Sequence, residues 1–351
     1  MKLVLAVLTL SSIGSLGPIA QQLHAIPVEA ANVDGNGSTW LPGCGDSGAK
    51  QVLIAARHLQ PLVGRTIVGM AFRRDASWLA ALPASDAAVA LRIGACASDP
   101  DAPAADFATN LPQPIEVFRG LTSMLPMPPI TGYQGWVAPH VFEITFTTPF
   151  LYSGGPLGIE IDGLSTTPRA YFPMDEVCEE LRGNIVDIGV ACGPRVAELR
   201  NTAAVISTGL TPGGTAQIHL LGSEGNAAFA FFGVSLLPQP VNLTLIGAPG
   251  CQWYVDACTA LAAPVVASGI PAVDGLASVR LHLPGTPTLL GGQLVVQWLE
   301  VGTGSLATSQ ALALTISAQM PTLCMAQLER LSDGSVHVAP ASGPVIGFRW
   351  L

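Results

Sequence analysis

Short apolar stretches separated by turn residues are the dominant pattern of the chain from Val52 onward. In the segment 140–147, Phe142, Ile144 and Phe146 alternate with less apolar neighbours. Because successive side chains of a strand point to opposite faces, this alternation indicates a half-buried strand. Gly, Pro, Asp and Ser cluster between the stretches, which is typical of a β-sandwich or barrel. Further stretches of this kind lie at 66–72, 89–93 and 157–161.

The second half of the chain carries less charge and contains a weak internal sequence repeat. Segments 208–222 and 268–285 each consist of a turn followed by an alternating strand. We therefore predict an all-β fold with two antiparallel β-sandwich-like domains in tandem after a signal peptide. The first domain is assigned to residues 49–187 and the second to 188–318.

The two ends of the chain have their own patterns. Residues 319–351 are predicted to form a C-terminal hairpin extension, because two alternating stretches flank a turn rich in Pro and Gly. At the other end, Lys2 precedes an apolar run that turn residues soon interrupt, which is typical of a secretory signal peptide. We assign residues 1–25 to this signal, with cleavage after Ala25 or Ala30, and residues 26–48 to a flexible segment. The location predicted is extracellular or at the cell surface.

Composition narrows the class further. Only 11% of the 351 residues are charged, against about 25% in an ordinary soluble domain. Lys2 and Lys50 are the only lysines. Because the solvent-exposed faces of a helical bundle need many charged residues, the composition argues against a helical bundle. The net charge of −9 argues against nucleic acid as a partner, and no later segment is long and apolar enough for an integral membrane span in the mature chain.

The seven cysteines are predicted to form disulfides, which is the usual state of cysteine in an exported chain. Their spacings lack a CxxC pair and a nearby histidine, so a structural zinc site is not expected. Sequence proximity suggests the pairs Cys178–Cys192, Cys251–Cys258 and Cys44–Cys96, which leaves Cys324 unpaired.

Several turn-and-strand motifs resemble one group of proteins. They are Met70-Ala-Phe-Arg-Arg-Asp, Asp106-Phe-Ala-Thr-Asn, Val117-Phe-Arg-Gly, Thr148-Pro-Phe-Leu-Tyr, Gly247-Ala-Pro-Gly-Cys and Leu289-Leu-Gly-Gly-Gln-Leu-Val-Val-Gln-Trp. Over about residues 50–318 the chain is similar to uncharacterised exported two-module β-sandwich proteins of planctomycete-type bacteria. The resemblance implies a pair of sandwiches and export, and it implies no reaction or catalytic residue.

Two motifs that suggest enzymes lack their companion residues. Cys44-Gly-Asp-Ser-Gly looks like the nucleophile region of a trypsin-like protease, but His24 is the only histidine before it to serve as the base. Ser47-Gly-Ala-Lys50 matches an S-x-x-K motif, yet no lysine follows Lys50 to supply the K-T-G element. The sequence thus assigns no catalytic residue.

Aromatic and acidic groups provide the candidate binding residues. Tyr133, Trp136 and Trp78 are able to stack on sugar rings, since an aromatic ring offers an apolar face beside a polar edge. The acidic run Asp175-Glu-Val-Cys-Glu-Glu180 contains Asp175 and Glu176. Together with Glu179, these carboxylates suit either calcium or the acid and nucleophile of a glycosidase.

Metal binding has two weaker candidates. Asp99 and Asp101 form a second acidic loop of the kind that calcium uses. His219 and His282 occupy equivalent positions in the internal sequence repeat and would share a metal if neighbouring strands aligned them. No cofactor is expected beyond this candidate calcium.

These observations favour a secreted or cell-surface protein without catalysis, acting by assembly or by binding an extracellular glycan or other surface proteins. Few titratable groups leave little material for an acid–base site. Two alternatives stay open. One is a secreted polysaccharide hydrolase with a carboxylate pair, and the other is a calcium-dependent adhesin.

Overall fold

The computed structural model describes residues 22–44, 48–163, 171–179, 181, 183–192, 202–205, 210–267, 275–331 and 334–351. Antiparallel strands dominate these residues, which confirms the predicted all-β, sandwich-type class. The two α-helices among them are single turns, α1 (Ala56–Leu59) and α2 (Phe107–Asn110). Short 3-10 turns lie at Val28–Ala30, Gln60–Leu62, Thr244–Ile246 and Pro287–Leu289.

The strands are numbered in chain order. They are β1 (Gln22–Ile26), β2 (Gly37–Trp40), β3 (Ala49–Ile54), β4 (Thr66–Arg73), β5 (Ser85–Ala95), β6 (Ile115–Met124), β7 (Val141–Leu151), β8 (Leu157–Gly163), β9 (Pro173–Cys178), β10 (Asn184–Ile188), β11 (Thr202–Val205), β12 (Thr215–Gly222), β13 (Ala227–Asn242), β14 (Gln252–Pro264), β15 (Val266–Ala267), β16 (Gly275–His282), β17 (Gln293–Gly302), β18 (Ser305–Thr308), β19 (Ala311–Thr315), β20 (Met325–Arg330), β21 (Val336–Pro340), β22 (Ser342–Pro344) and β23 (Ile346–Trp350).

Residues 22–179 and 325–351 together form what we call the N/C module. Its sheets, within the described residues, have the orders β1–β23–β4–β7, β21–β20–β3–β8–β5–β6 and β2–β9–β22. Apolar faces of these sheets meet in a main core, in which Ile54, Phe72 and Phe348 are fully buried, and a smaller cluster includes Leu53 and Phe107. This core holds the sheets at fixed positions around β9.

The described residues between 184 and 316 form what we call the inserted module. Its described strands make a sheet of order β10–β19–β17–β13–β14, with β18 on β17, and a second sheet of order β11–β12–β16–β15. Trp298 is fully buried in its core, beside Leu220 and Leu312. The module contacts β21 of the N/C module, where the main-chain N–H of Val338 donates to Thr215 Oγ1 at 3.2 Å.

The C-terminal residues do not form the predicted hairpin extension. β21 pairs with β20, whereas β23 lies between β1 and β4 in a different sheet. β23 is a central strand of the core: Ile346 and Phe348 are fully buried, and its backbone is paired with β1 on one side and β4 on the other. The second unit is therefore inserted between β9 and β20, and the arrangement is not the tandem one that the shift in composition suggested.

The segment before β3 is folded in its described part. Gln22–Ile26 pairs with β23, and both Ile26 and Leu41 are fully buried. Of residues 26–48, assigned to a flexible segment, the described part 26–44 thus contains a 3-10 turn and β2. Most of the predicted signal peptide, residues 1–21, lies outside the described residues. Cleavage after Ala25 would divide β1.

Candidate functional site

β9 is the element around which the predicted site residues are arranged. It pairs with β2 on one side and with β22 on the other. Because successive side chains alternate, the neighbouring residues Asp175 and Glu176 point to opposite sides of this small sheet. Asp175 contacts Arg73 at the end of β4, and Glu176 contacts Ser342 of β22. The structure therefore separates the two carboxylates that the sequence places together.

Asp175 belongs to a closed group that we call the ion-pair cluster (Arg73, Asp175, Tyr133 and Trp136). The side chains of Arg73 and Asp175 are both fully buried, and Arg73 Nε donates to Asp175 Oδ2 at 2.9 Å. The guanidinium also donates to the carbonyl of Val33 at 2.6 Å and to the Tyr133 hydroxyl at 2.7 Å. Buried charges are tolerated in this way, by pairing and by satisfying the remaining donors.

Tyr133 and Trp136 cover the guanidinium of Arg73 with their rings. The Arg73 Cζ lies 4.6 Å from the Tyr133 ring centroid and 5.2 Å from that of Trp136. Trp136 Nε1 also donates to the carbonyl of Ala31 at 2.9 Å. A face of each ring is thus used to pack a cation. Tyr133 remains 37% exposed and Trp136 is half-buried, so binding of a sugar by these two rings stays a prediction.

Burial raises the pKa of the Asp175 carboxyl to about 6, because desolvation outweighs the opposing effect of the Arg73 hydrogen bonds. The charged form of Asp175 is therefore costly in the folded protein. This makes the ion-pair cluster a pH-sensitive part of the structure.

Trp78 lies in a second group, which we call the aromatic cluster (Trp40, Trp78 and Tyr171). The ring centroids of Trp40 and Trp78 are 5.2 Å apart, and those of Trp40 and Tyr171 are 5.1 Å apart. All three residues remain exposed, at 38%, 40% and 47% respectively. The sequence prediction named Trp78 only. Trp40 was missed because it lay in the segment assigned as flexible, and Tyr171 because no pattern marked it.

Glu176 faces an open cavity of about 420 Å³, which we call the acidic cleft. The cleft is lined by Glu176, Glu179, Glu329 and His337, among others. Glu176 Oε1 accepts a hydrogen bond from the Ser342 hydroxyl. Burial lowers the pKa of the His337 imidazole, against the opposing effect of the Glu329 charge.

Cys178 also lines the acidic cleft, with its Sγ 3.3 Å from the Ser342 Oγ. Burial, reinforced by the nearby Glu176 charge, raises the pKa of the Cys178 thiol to about 12. The reactive thiolate is therefore suppressed at neutral pH. A cysteine nucleophile does not fit this position.

The remaining metal candidates are dispersed. Asp99 Oδ1 accepts from the main-chain N–H of Asp101 at 3.0 Å, which closes a turn. Among the described residues, no group of three or more His, Cys, Asp or Glu side chains could hold a metal ion. His219 pairs with Ser278 and His282 with Thr215, so the strand register sets the two histidines apart.

The structure contains a different disulfide from those predicted. Cys192 is bonded to Cys251, across 59 residues of the inserted module. Cys178 does not form a disulfide with Cys192, because Cys178 lies in the N/C module, beside Ser342. The predicted Cys178–Cys192 pair is therefore wrong.

The other two predicted pairs are wrong as well. Cys258 lies seven positions along from Cys251, within β14, and is exposed. An extended strand of that length spans roughly 23 Å at about 3.3 Å per residue, far beyond the reach of a disulfide. Cys44 is buried in the core as a free thiol, and Cys96 Sγ donates to the carbonyl of Ser98 at 3.0 Å. Cys324 is also free.

Comparison with known proteins gives no assignment. No family model matches the chain, and no curated protein matches it significantly. Within the described residues, no helix is both long and apolar enough to cross a membrane.

Proposed function

We propose that this is a secreted or cell-surface protein that binds a glycan through the aromatic cluster. The observation that carries the proposal is a set of three rings, each more than a third exposed, in which Trp40 contacts both Trp78 and Tyr171. A folded protein buries such large apolar rings where it can, and grouped exposed rings are typical of a binding surface.

The surrounding main chain holds these rings in place. Trp40 ends β2, which is paired with β9. The loop that carries Trp78 is fixed by Arg74, whose Nη2 donates to the Trp78 carbonyl at 2.7 Å and whose Nη1 donates to the Pro128 carbonyl at 2.8 Å. Rings that are positioned before the ligand arrives lose little entropy on binding, so the affinity gained per ring is greater.

Ring orientation points to the kind of glycan. The planes of Trp40 and Trp78 meet at 84°, and those of Trp40 and Tyr171 at 58°. Coplanar rings would suit the flat face of a crystalline polysaccharide. Rings at steep angles suit a single, soluble glycan chain that bends across the cluster. This is the class of ligand that we propose.

The disulfide between Cys192 and Cys251 supports the export part of the proposal. Disulfides persist in oxidising compartments and are rare in the reducing cytosol. The resemblance to exported bacterial proteins gives the same expectation.

Glycan-array retention of the full chain is the test. Trp78→Ala and Trp40→Ala should each weaken retention about tenfold, equivalent to about 1.4 kcal/mol per ring. Trp253→Ala is the matched control, because Trp253 also forms an edge-on aromatic pair, with Phe231 in the inserted module. This control should bind as the wild type does.

Three results would count against the proposal. Equal retention of the Trp78→Ala and wild-type proteins would remove the aromatic cluster as the site. Loss of retention on adding a chelator would favour the calcium-dependent adhesin. Release of reducing ends from the bound glycan would favour the hydrolase.

A further inference from the structure

The acidic cleft lies where the N/C module meets the inserted module. Its walls come from β2, β9, β20 and β21, and Thr211 closes it from the inserted module. At about 420 Å³ it falls in the range of roughly 300–1,000 Å³ that small-molecule sites occupy. Its size and its position between modules are those of a ligand site.

Two buried polar atoms in the cleft wall have no partner. Gln327 is 8% exposed, and its Nε2 donates to Thr39 Oγ1 at 3.1 Å, while its Oε1 is buried without a hydrogen bond. Thr211 is 4% exposed, and its Oγ1 is likewise unsatisfied. Such groups cost about 1–3 kcal/mol each, and native proteins rarely leave them so. A ligand that donates hydrogen bonds would satisfy the Gln327 oxygen.

The charge of the wall specifies the ligand more closely. Glu176, Glu179 and Glu329 line the cleft, and its described lining contains no Lys or Arg. Lys50 is buried and is not part of the lining, although its Nζ donates to Oγ1 of the lining residue Thr39. Negative charge in a partly enclosed cleft attracts cations.

An organic cation fits the donor set better than a metal ion. The described residues hold no group of His, Cys, Asp or Glu able to ligate a metal. An ammonium group has three N–H donors and no acceptor, which matches a wall of carboxylates and an unpaired amide oxygen. We propose that the acidic cleft binds a small molecule through a primary ammonium group, independently of the aromatic cluster.

Amino sugars and polyamines both carry this group, and titration calorimetry on the full chain distinguishes them. Glucosamine, spermidine and glucose are the three probes. Glucose lacks the ammonium group and is expected not to bind. Binding of glucosamine alone assigns an amino sugar, and binding of spermidine alone assigns a polyamine. Equal binding of glucose and glucosamine would overturn the proposal, as would binding of neither amine.

Variants of the wall locate the bound amine. Glu329→Gln removes one charge with little change in shape and should weaken binding about tenfold. Gln327→Met removes the unpaired oxygen and should weaken binding to a similar degree without lowering the melting temperature. Glu116→Gln, at an exposed carboxylate paired with Arg119 on β6, is the matched control and should leave binding unchanged.

Unaltered amine binding in both wall variants would exclude the cleft. The Trp78→Ala protein separates the two sites, since it should lose glycan retention while keeping amine binding. Loss of amine binding in that variant would place the amine at the aromatic cluster instead, and would overturn the assignment to the cleft.

Discussion

The ion-pair cluster and the aromatic cluster use similar side chains for different purposes. In the first, Tyr133 and Trp136 contact the buried guanidinium of Arg73. In the second, Trp40 and Trp78 contact each other and keep more than a third of their surface in solvent. Tyr133 keeps a similar exposed fraction, 37%, so the two clusters differ in what their rings contact, a buried cation in the first and other rings in the second.

The largest effect should follow from breaking the ion pair. Asp175→Ala leaves the Arg73 charge buried and unpaired, so the free energy of unfolding should fall by about 3–5 kcal/mol in urea titrations. Glu176→Ala, one position along β9 on the opposite face, is the matched control and should cost much less. Replacing both partners by apolar residues, Arg73→Met with Asp175→Leu, should recover much of the loss. A similar fall in the free energy of unfolding for Asp175→Ala and Glu176→Ala would contradict this prediction.

A smaller effect should follow from pH. Because the pKa of Asp175 is raised from 3.8 to about 6 by burial, the folded state holds this proton more tightly than the unfolded state. The stability contributed by the neutral carboxyl is complete below pH 4 and is lost as pH rises through 6. Urea midpoints measured between pH 4 and pH 7 should show this decline in the wild type. Asp175→Asn cannot titrate at this position, so its urea midpoint should not show the decline that Asp175 causes. If the variant and the wild type depended on pH in the same way, Asp175 would not be the group responsible.

The smallest effects on stability should distinguish the rings of the ion-pair cluster from those of the aromatic cluster. Trp136→Ala removes packing on Arg73 and the hydrogen bond to the Ala31 carbonyl, and should cost about 2 kcal/mol of unfolding free energy, below the range for a fully buried tryptophan. Trp78→Ala should change stability by less than about 1 kcal/mol. Calorimetric melting of both variants measures the difference. If Trp78→Ala were the more destabilising change, the aromatic cluster would be a structural element.

The strand content could be predicted because alternation is a local property. Phe142, Ile144 and Phe146 are buried on one side of β7, as their spacing indicated. The pairing of strands is not local. Nothing in the spacing of Ile346 and Phe348 showed that β23 would lie beside β1, and so the C-terminal strands were assigned to an appended hairpin.

The candidate site was predicted in part for the same reason. Trp78 was named from its chemistry, but Trp40 reaches it through β2, and Tyr171 reaches Trp40 from the residues just before β9. Asp175 and Glu176 are adjacent in sequence and were treated as a pair, whereas the pleat of β9 directs them apart. The acidic cleft depends on Gln327, which no motif marked and which reaches the site through β20.

The position of β23 also determines an order of events during synthesis. β1 has its only described strand partner in β23, and β3 is paired with β20, so these sheets cannot close until residues 325–350 have left the ribosome. The inserted module has all its strands earlier and is able to fold first. Pairing between strands so distant in sequence is slow, and exposed strand edges persist meanwhile. The positions in the N/C sheets that β20 and β23 occupy therefore stay unpaired until the end of translation, and the strand edges beside them need protection from aggregation until then.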